Sequence, residues 1–179
     1  FEVGGERIAR ALTAVPGIAE TQARAFADRF RGGLRVATVD LNADGFGDLA
    51  TAPGGLPTGS GSNLVGQLGD TPRVITIYDG ISGGASSWSL NVSSVFGATY
   101  TGGFFVAFGN VLPESAGSGN AIAELIVASA AQVAVFEVTA SVRGGSLAIS
   151  PTPVATWTAA SGRHITGLAR GDFSAAASD

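Results

Sequence analysis

Residues 36–52 read VATVDLNADGFGDLATA, a polar loop between two apolar runs. Side chains with carboxylate or amide oxygens alternate through the loop, and a glycine stands at its centre. These residues are Asp40, Asn42, Asp44, Gly45 and Asp48. Alternate spacing in a tight turn points successive oxygens inward, and glycine permits the positive φ of a sharp reversal. The stretch therefore predicts two strands joined by a loop that brings oxygen ligands together.

A divalent cation would offset the charge of this loop, because carboxylates held together without one repel each other. Calcium is favoured over magnesium, since all the ligands would come from a flexible protein loop. Zinc is disfavoured because the chain has no cysteine and a single, distant histidine, His164. An EF-hand is disfavoured because Thr51 stands where its bidentate glutamate would be. The alternative is a polar turn whose Asp and Asn side chains hydrogen-bond their own backbone.

The composition is that of a folded, β-rich protein. Hydrophobic residues make up 45% of the 179 residues and charged residues 13%, which excludes a disordered chain. The 27 glycines indicate frequent turns between short strands. A net charge of −4 gives no basic surface for nucleic acid, and the longest apolar tract, 121–138, is too polar for a membrane span. The segment 16–30 departs from this pattern, and its composition predicts a short helical insertion.

Three sequence features recur in one order: a glycine-led strand, an acid-led strand and a strand ending in an aromatic–acidic pair. The clearest copies begin at Gly32 and Gly102, at Asp48 and Glu124, and around Tyr78 and Phe136. This order predicts repeat-like units over about 1–76, 77–135 and 136–179, of which the last is truncated. The first unit is lengthened by the segment 16–30 and by a Gly/Pro/Ser-rich loop at 53–72.

Four short strands per unit predict the blades of a β-propeller. Each blade has two faces to bury, so it must stack on neighbouring blades. The chain holds about two blades and flanking strands, whereas propellers usually need about four to eight blades to close. We therefore expect an all-β segment that belongs to a larger propeller or that self-associates.

The stretch VATVDLNADGFGDLATA, followed by PRVITIYDG at 72–80, resembles the FG-GAP repeat of integrin α-chain propellers and many bacterial surface proteins. The resemblance extends through the repeats over nearly the whole chain, but one copy alone has the complete loop. It implies a calcium ion held between two strands of a blade. The ligands it implies are Asp40, Asn42, Asp44, the carbonyl of Phe46 and Asp48. In the other two copies Asn110 and Asp172 stand at the first position without the remaining ligands, and we expect no cation there.

The resemblance implies a calcium-stabilised structural or adhesive interaction module of a secreted, periplasmic or cell-surface protein. We do not expect an enzyme, because no labile ligand position or general base adjoins the loop. One alternative is a carbohydrate-binding or polysaccharide-acting propeller, with Trp88 and Trp157 of the fourth strands as candidate contacts. Another is a structural subunit of a larger assembly. The expected partner is a protein or a glycan, or further propeller blades.

Overall fold

A computed structural model of the chain describes residues 33–42, 44–55, 73–82, 87–100, 102–111, 123–140 and 147–168, and the backbone of short strands at 2–3, 6–11 and 21–24. The described part is almost entirely antiparallel β-sheet. The N-terminal sheet has three strands in sequence order, β1 (Glu2–Val3), β2 (Glu6–Ala11) and β3 (Thr21–Arg24).

The first four-stranded sheet is a meander in which each strand pairs with the next. Its strands are β4 (Leu34–Val39), β5 (Asp48–Pro53), β6 (Val74–Tyr78) and β7 (Ser87–Asn91). A single helical turn, α1 (Ser93–Phe96), follows β7. The apolar and β-branched residues of these strands suit a pleated surface that is buried on at least one face.

The second four-stranded sheet has the order β13-β10-β9-β8. Its strands are β8 (Phe105–Gly109), β9 (Glu124–Ala128), β10 (Gln132–Phe136) and β13 (Ala155–Thr158). A separate hairpin of β11 (Val138–Ala140) and β12 (Leu147–Ile149) lies between β10 and β13 in the chain. The fourth strand of this sheet is therefore reached through an inserted hairpin.

The two four-stranded sheets share the register of their first three strands. In the first sheet Val39 pairs with Asp48, and Leu49 pairs with Tyr78. In the second sheet Glu124 begins β9 and pairs with Gly109, the last residue of β8. Leu125 then pairs with Phe136, the aromatic residue at the end of β10. Each sheet thus places an acid beside the loop end of its first hairpin.

One hydrophobic core lies between the two sheets. It takes alternate residues from both, because successive side chains of a strand point to opposite faces. The first sheet contributes Ile75, Ile77 and Leu90, and the second contributes Phe104, Val106, Leu125, Val127 and Phe136. Burying a side chain of this size stabilises the fold by about 1.5–3 kcal/mol. The sheets are therefore joined mainly by apolar packing.

Glycines allow the backbones of the two sheets to cross closely. Gly54 and Gly103 form an isolated antiparallel bridge, and Phe104 N–H donates to the Pro53 carbonyl at 2.8 Å. A Cβ on Gly103 would overlap the backbone nitrogen of Gly55, and Gly103 also has a φ of +77°. Only a glycine meets both conditions without strain. This crossing connects the end of β5 to the start of β8.

The all-β prediction is confirmed, whereas the predicted helix is wrong where it can be compared. Residues Thr21–Arg24 lie inside the segment 16–30 and form strand β3, paired with β2. Pairing with a neighbouring strand outweighs the weak helical preference of these residues. The rest of that segment and most of the loop 53–72 lie outside the described residues. The described sheets remain open and form no ring, and in the same part of the chain no helix is long and apolar enough to cross a membrane.

Candidate metal-binding loop

The polar loop predicted from the sequence connects β4 to β5 at one end of the first sheet. The pair Val39–Asp48 closes the hairpin below it, and Ala43 within it lies outside the described residues. Leu41 is buried and packs into the core between the sheets. This apolar contact anchors one side of the loop, so its polar residues are placed at the end of the hairpin.

The side-chain oxygens of the loop accept hydrogen bonds from the loop's own backbone. Asp40 accepts from the N–H groups of Asp44 and Gly45, at 3.1 and 3.0 Å. Asn42 Oδ1 also accepts from Asp44 N–H, at 3.2 Å, and Asp44 Oδ1 accepts from Phe46 N–H at 2.8 Å. These are the contacts of an Asx-rich turn. A carboxylate has about four lone-pair sites, so these bonds leave capacity for a further ligand.

Gly45 has the left-handed backbone conformation expected from the sequence, with a φ of +92°. A Cβ built there would meet no atom within 4 Å. The need for glycine is therefore conformational and not steric, because other residues rarely adopt this φ. The turn places Asp44 and Phe46 on either side of the reversal.

Asp48 links the loop to the turn that follows β6. Its side chain is fully buried. The carboxylate accepts Leu41 N–H on Oδ2 at 2.9 Å and Gly80 N–H on Oδ1 at 3.0 Å. A Cβ on Gly80 would overlap the Gly47 carbonyl, so the loop and the turn approach each other backbone to backbone. One carboxylate thus joins three strands of the sheet at their common end.

Burial makes the Asp48 carboxylate hard to ionise. Its pKa is raised from 3.8 to about 6, with desolvation as the largest cause. The hydrogen bonds from Gly80 and Leu41 act in the opposite direction and lower the pKa, whereas the nearby charges of Asp79 and Asp44 add to the rise. Asp79 is itself buried, and its Oδ2 accepts Ser82 N–H at 3.0 Å. The loop end of the first sheet therefore concentrates negative charge in a poorly hydrated place.

The sequence analysis missed Asp79 and Gly80 as residues of this site. Tyr78 and Asp79 stood out as an aromatic–acidic pair that marks the end of a strand. That pattern gave no indication that the next turn would lie against the loop. Gly80 donates to a carboxylate 32 positions earlier in the chain, and only the pairing of β5 with β6 brings them together.

The loop offers oxygen donors of the kind that hard cations prefer. Asp44 Oδ2 is buried and has no hydrogen-bond partner, which leaves one carboxylate oxygen free for a cation. Across the described part of the chain, however, no three acidic or histidine side chains converge closely enough to enclose a metal ion. A bound cation would therefore require the side chains of Asp40, Asp44 and Asp48 to turn towards one another.

The corresponding loop of the second sheet retains one of these contacts. Glu124 Oε2 accepts the N–H of Val111 at 2.9 Å, as Asp48 does for Leu41. Asn110 occupies the place of Asp40, directly after the closing pair of the hairpin. Residues 112–122 of this loop, and Asp172 of the third copy, lie outside the described residues. An acid at this position thus has a role in fastening the hairpin that does not depend on a cation.

The two tryptophans lie on the fourth strands of different sheets. Trp88, on β7, is partly buried and packs against the core between the sheets. Trp157, on β13, is 52% exposed. Trp157 therefore has surface available for a contact, whereas much of the Trp88 ring is already in contact with the protein.

Comparison of the chain with models of protein families, with curated proteins and with solved structures found no match.

Proposed function

We propose that this chain is a calcium-stabilised segment of a β-propeller that acts as a structural or adhesive interaction module outside the cytoplasm. The observation that carries the proposal is the loop between β4 and β5, whose alternating oxygen donors include an unpartnered buried carboxylate oxygen of Asp44. A buried polar group without a partner costs about 1–3 kcal/mol. A cation that binds this oxygen removes the cost and offsets the repulsion between the acids.

The propeller part of the proposal is supported by the two similar sheets. Both are antiparallel, both have four strands, and their first three strands have the same register. The sheets pack face to face through one apolar core, which is how units that cannot bury both faces alone are stabilised. Further units stacked on the outer faces would continue this arrangement.

The calcium part follows from the chemistry of the donors. The proposed ligands are Asp40, Asn42, Asp44, the carbonyl of Phe46 and Asp48, all of them oxygen donors. Calcium accepts six to eight oxygens in irregular geometry, whereas magnesium demands a near-ideal octahedron. The loop must rearrange to bind, so we expect a dissociation constant of about 10⁻⁴–10⁻³ M, the range of extracellular modules. Such a site would be filled outside the cytoplasm.

The proposed role of calcium is to fasten the hairpin and not to perform chemistry. Asp48 already joins the loop to the turn after β6 through two backbone N–H groups. A cation beside it would hold the carboxylate ionised and draw Asp40 and Asp44 towards the same point. The end of the first sheet would then become a rigid surface, as an interaction module requires.

Isothermal titration calorimetry with calcium tests this proposal on the parent chain, on Asp44→Asn and on the control Glu137→Gln. Each variant removes one negative charge, and the control acid is exposed and lies beyond β10. We expect Asp44→Asn to bind calcium at least about tenfold more weakly, a loss of 1.4 kcal/mol, and Glu137→Gln to bind like the parent. No saturable binding by the parent, or equal binding by Asp44→Asn, would contradict the proposed site.

A further inference from the structure

A cleft of about 390 Å³ opens between α1 and the second sheet. We call it the outer cleft and define it by its three walls. Ser94 and Val95 of α1 form one wall, Gln132 and Thr156 of the second sheet form another, and residues 151–153 form the third. Its volume lies at the lower end of the range for small-molecule sites, about 300–1,000 Å³.

Among the residues that the structure describes, no charged side chain lines the outer cleft. An ion that entered it would gain no counter-charge from these walls. Phosphorylated, carboxylated and cationic ligands are therefore poor candidates. The lining favours a neutral ligand.

The polar groups of the cleft are hydroxyls and one carboxamide. They belong to Ser94, Gln132, Thr152 and Thr156, and each of these side chains both donates and accepts hydrogen bonds. Sugar hydroxyls have the same dual character. Two proline rings and Val95 supply apolar surface between these groups, which suits the C–H face of a pyranose ring.

The walls of the cleft are held in place by the protein's own contacts. The turn α1 begins where Asn91 Oδ1 accepts Ser93 N–H at 2.9 Å, and buried Val92 accepts the N–H of Phe96 at 3.0 Å. On the opposite wall Ser150 Oγ donates to the Thr152 carbonyl at 3.0 Å. Because these walls are already ordered, ligand binding loses little conformational entropy in ordering them.

We propose that the outer cleft binds a neutral mono- or disaccharide unit. Gln132 and Thr156 hydrogen-bond its hydroxyls from the sheet, Ser94 does so from α1, and Pro151 and Pro153 contact its apolar face. The ligand thus contacts both α1 and the second sheet.

The proposal is independent of the calcium loop. The loop lies at the end of the first sheet where Val39 pairs with Asp48. The turn α1 follows the opposite end, where Val74 pairs with Asn91. Saccharide binding should therefore persist in a chelator, and its failure would leave the calcium proposal standing.

Titration of the ¹⁵N-labelled chain followed by NMR tests the inference. The probes are glucose, galactose, N-acetylglucosamine and cellobiose, with glucose 6-phosphate, glucuronate and an uncharged proline-containing peptide for comparison. We expect saturable shifts for at least one neutral sugar, centred on Ser94, Gln132 and Thr156, with and without calcium.

The variant Thr156→Val keeps the shape of the side chain and removes its hydroxyl. It should weaken saccharide binding about fivefold, the effect of losing one ordinary hydrogen bond. Thr158→Val is the matched control, since Thr158 lies on the same strand, is exposed and does not line the cleft. It should bind within about twofold of the parent.

Several results would overturn the inference. One is the absence of saturable shifts with every neutral sugar, and another is equal binding by Thr156→Val and the parent. Tighter binding of the anionic sugars or of the peptide would assign the cleft to a different class of ligand. Spectra of the free variants establish that each is folded before it is compared.

Discussion

The buried carboxylate of Asp48 predicts an unusual dependence of stability on pH in the calcium-free protein. Its pKa in the folded chain is about 6, against an ordinary value of 3.8. The folded state therefore binds a proton more tightly than the unfolded state, and stability from this group is fully present below about pH 4. It is lost as pH rises through about 6. The difference between the two pKa values corresponds to at most about 3 kcal/mol in the free energy of unfolding.

Urea denaturation in a chelator, at intervals between pH 4.5 and 7.5, measures this loss. The variant Asp48→Asn removes the titration, although its amide can accept only one of the two backbone N–H groups, so its overall stability will also fall. The informative quantity is the slope against pH, which we expect to be flatter in Asp48→Asn and unchanged in the exposed control Glu137→Gln. Calcium should flatten the slope in the parent by keeping Asp48 ionised. Equal slopes for the parent and Asp48→Asn would refute the reasoning.

Three further predictions concern stability and calcium affinity. In urea denaturation, Gly103→Ala should lower the free energy of unfolding by several kcal/mol more than Gly97→Ala, because both glycines have a positive φ but only a Cβ on Gly103 would overlap another backbone. Equal losses of stability would show that the positive φ alone accounts for the effect. Phe136→Ala should lower stability by about 3–5 kcal/mol because the ring is fully buried, and a loss below about 1 kcal/mol in thermal unfolding would contradict the core described above. Gly80→Ala should weaken calcium binding in calorimetry by pushing the turn away from Gly47, and unchanged affinity would separate that turn from the site.

Local patterns predicted the local geometry of this chain. The spacing of Asp40, Asn42 and Asp44 predicted a polar loop between two strands, and Gly45 has the positive φ that the pattern required. The recurring acid-led strands predicted where β5 and β9 begin. These features depend on residues a few positions apart, so a short window of sequence contains their cause.

The helical pattern at 16–30 shows where such reasoning fails. Its composition favours a helix, yet Thr21–Arg24 pair with β2 as a strand. Helix propensities differ by less than about 1 kcal/mol per residue among ordinary residues. A neighbouring strand that supplies hydrogen bonds and packing outweighs them, and no short window of sequence shows that neighbour.

The amino-acid sequence by itself determined the β-rich composition, the positions of several strands and the oxygen-bearing side chains of the polar loop. Tertiary structure alone decided that Gly80 would reach Asp48, that Gly54 and Gly103 would cross, and that α1 and the second sheet would line one cleft. The physical reason is distance along the chain. Alternation and turn chemistry act between near neighbours, whereas desolvation, backbone crossing and cleft formation depend on which strands pair and which faces are buried together.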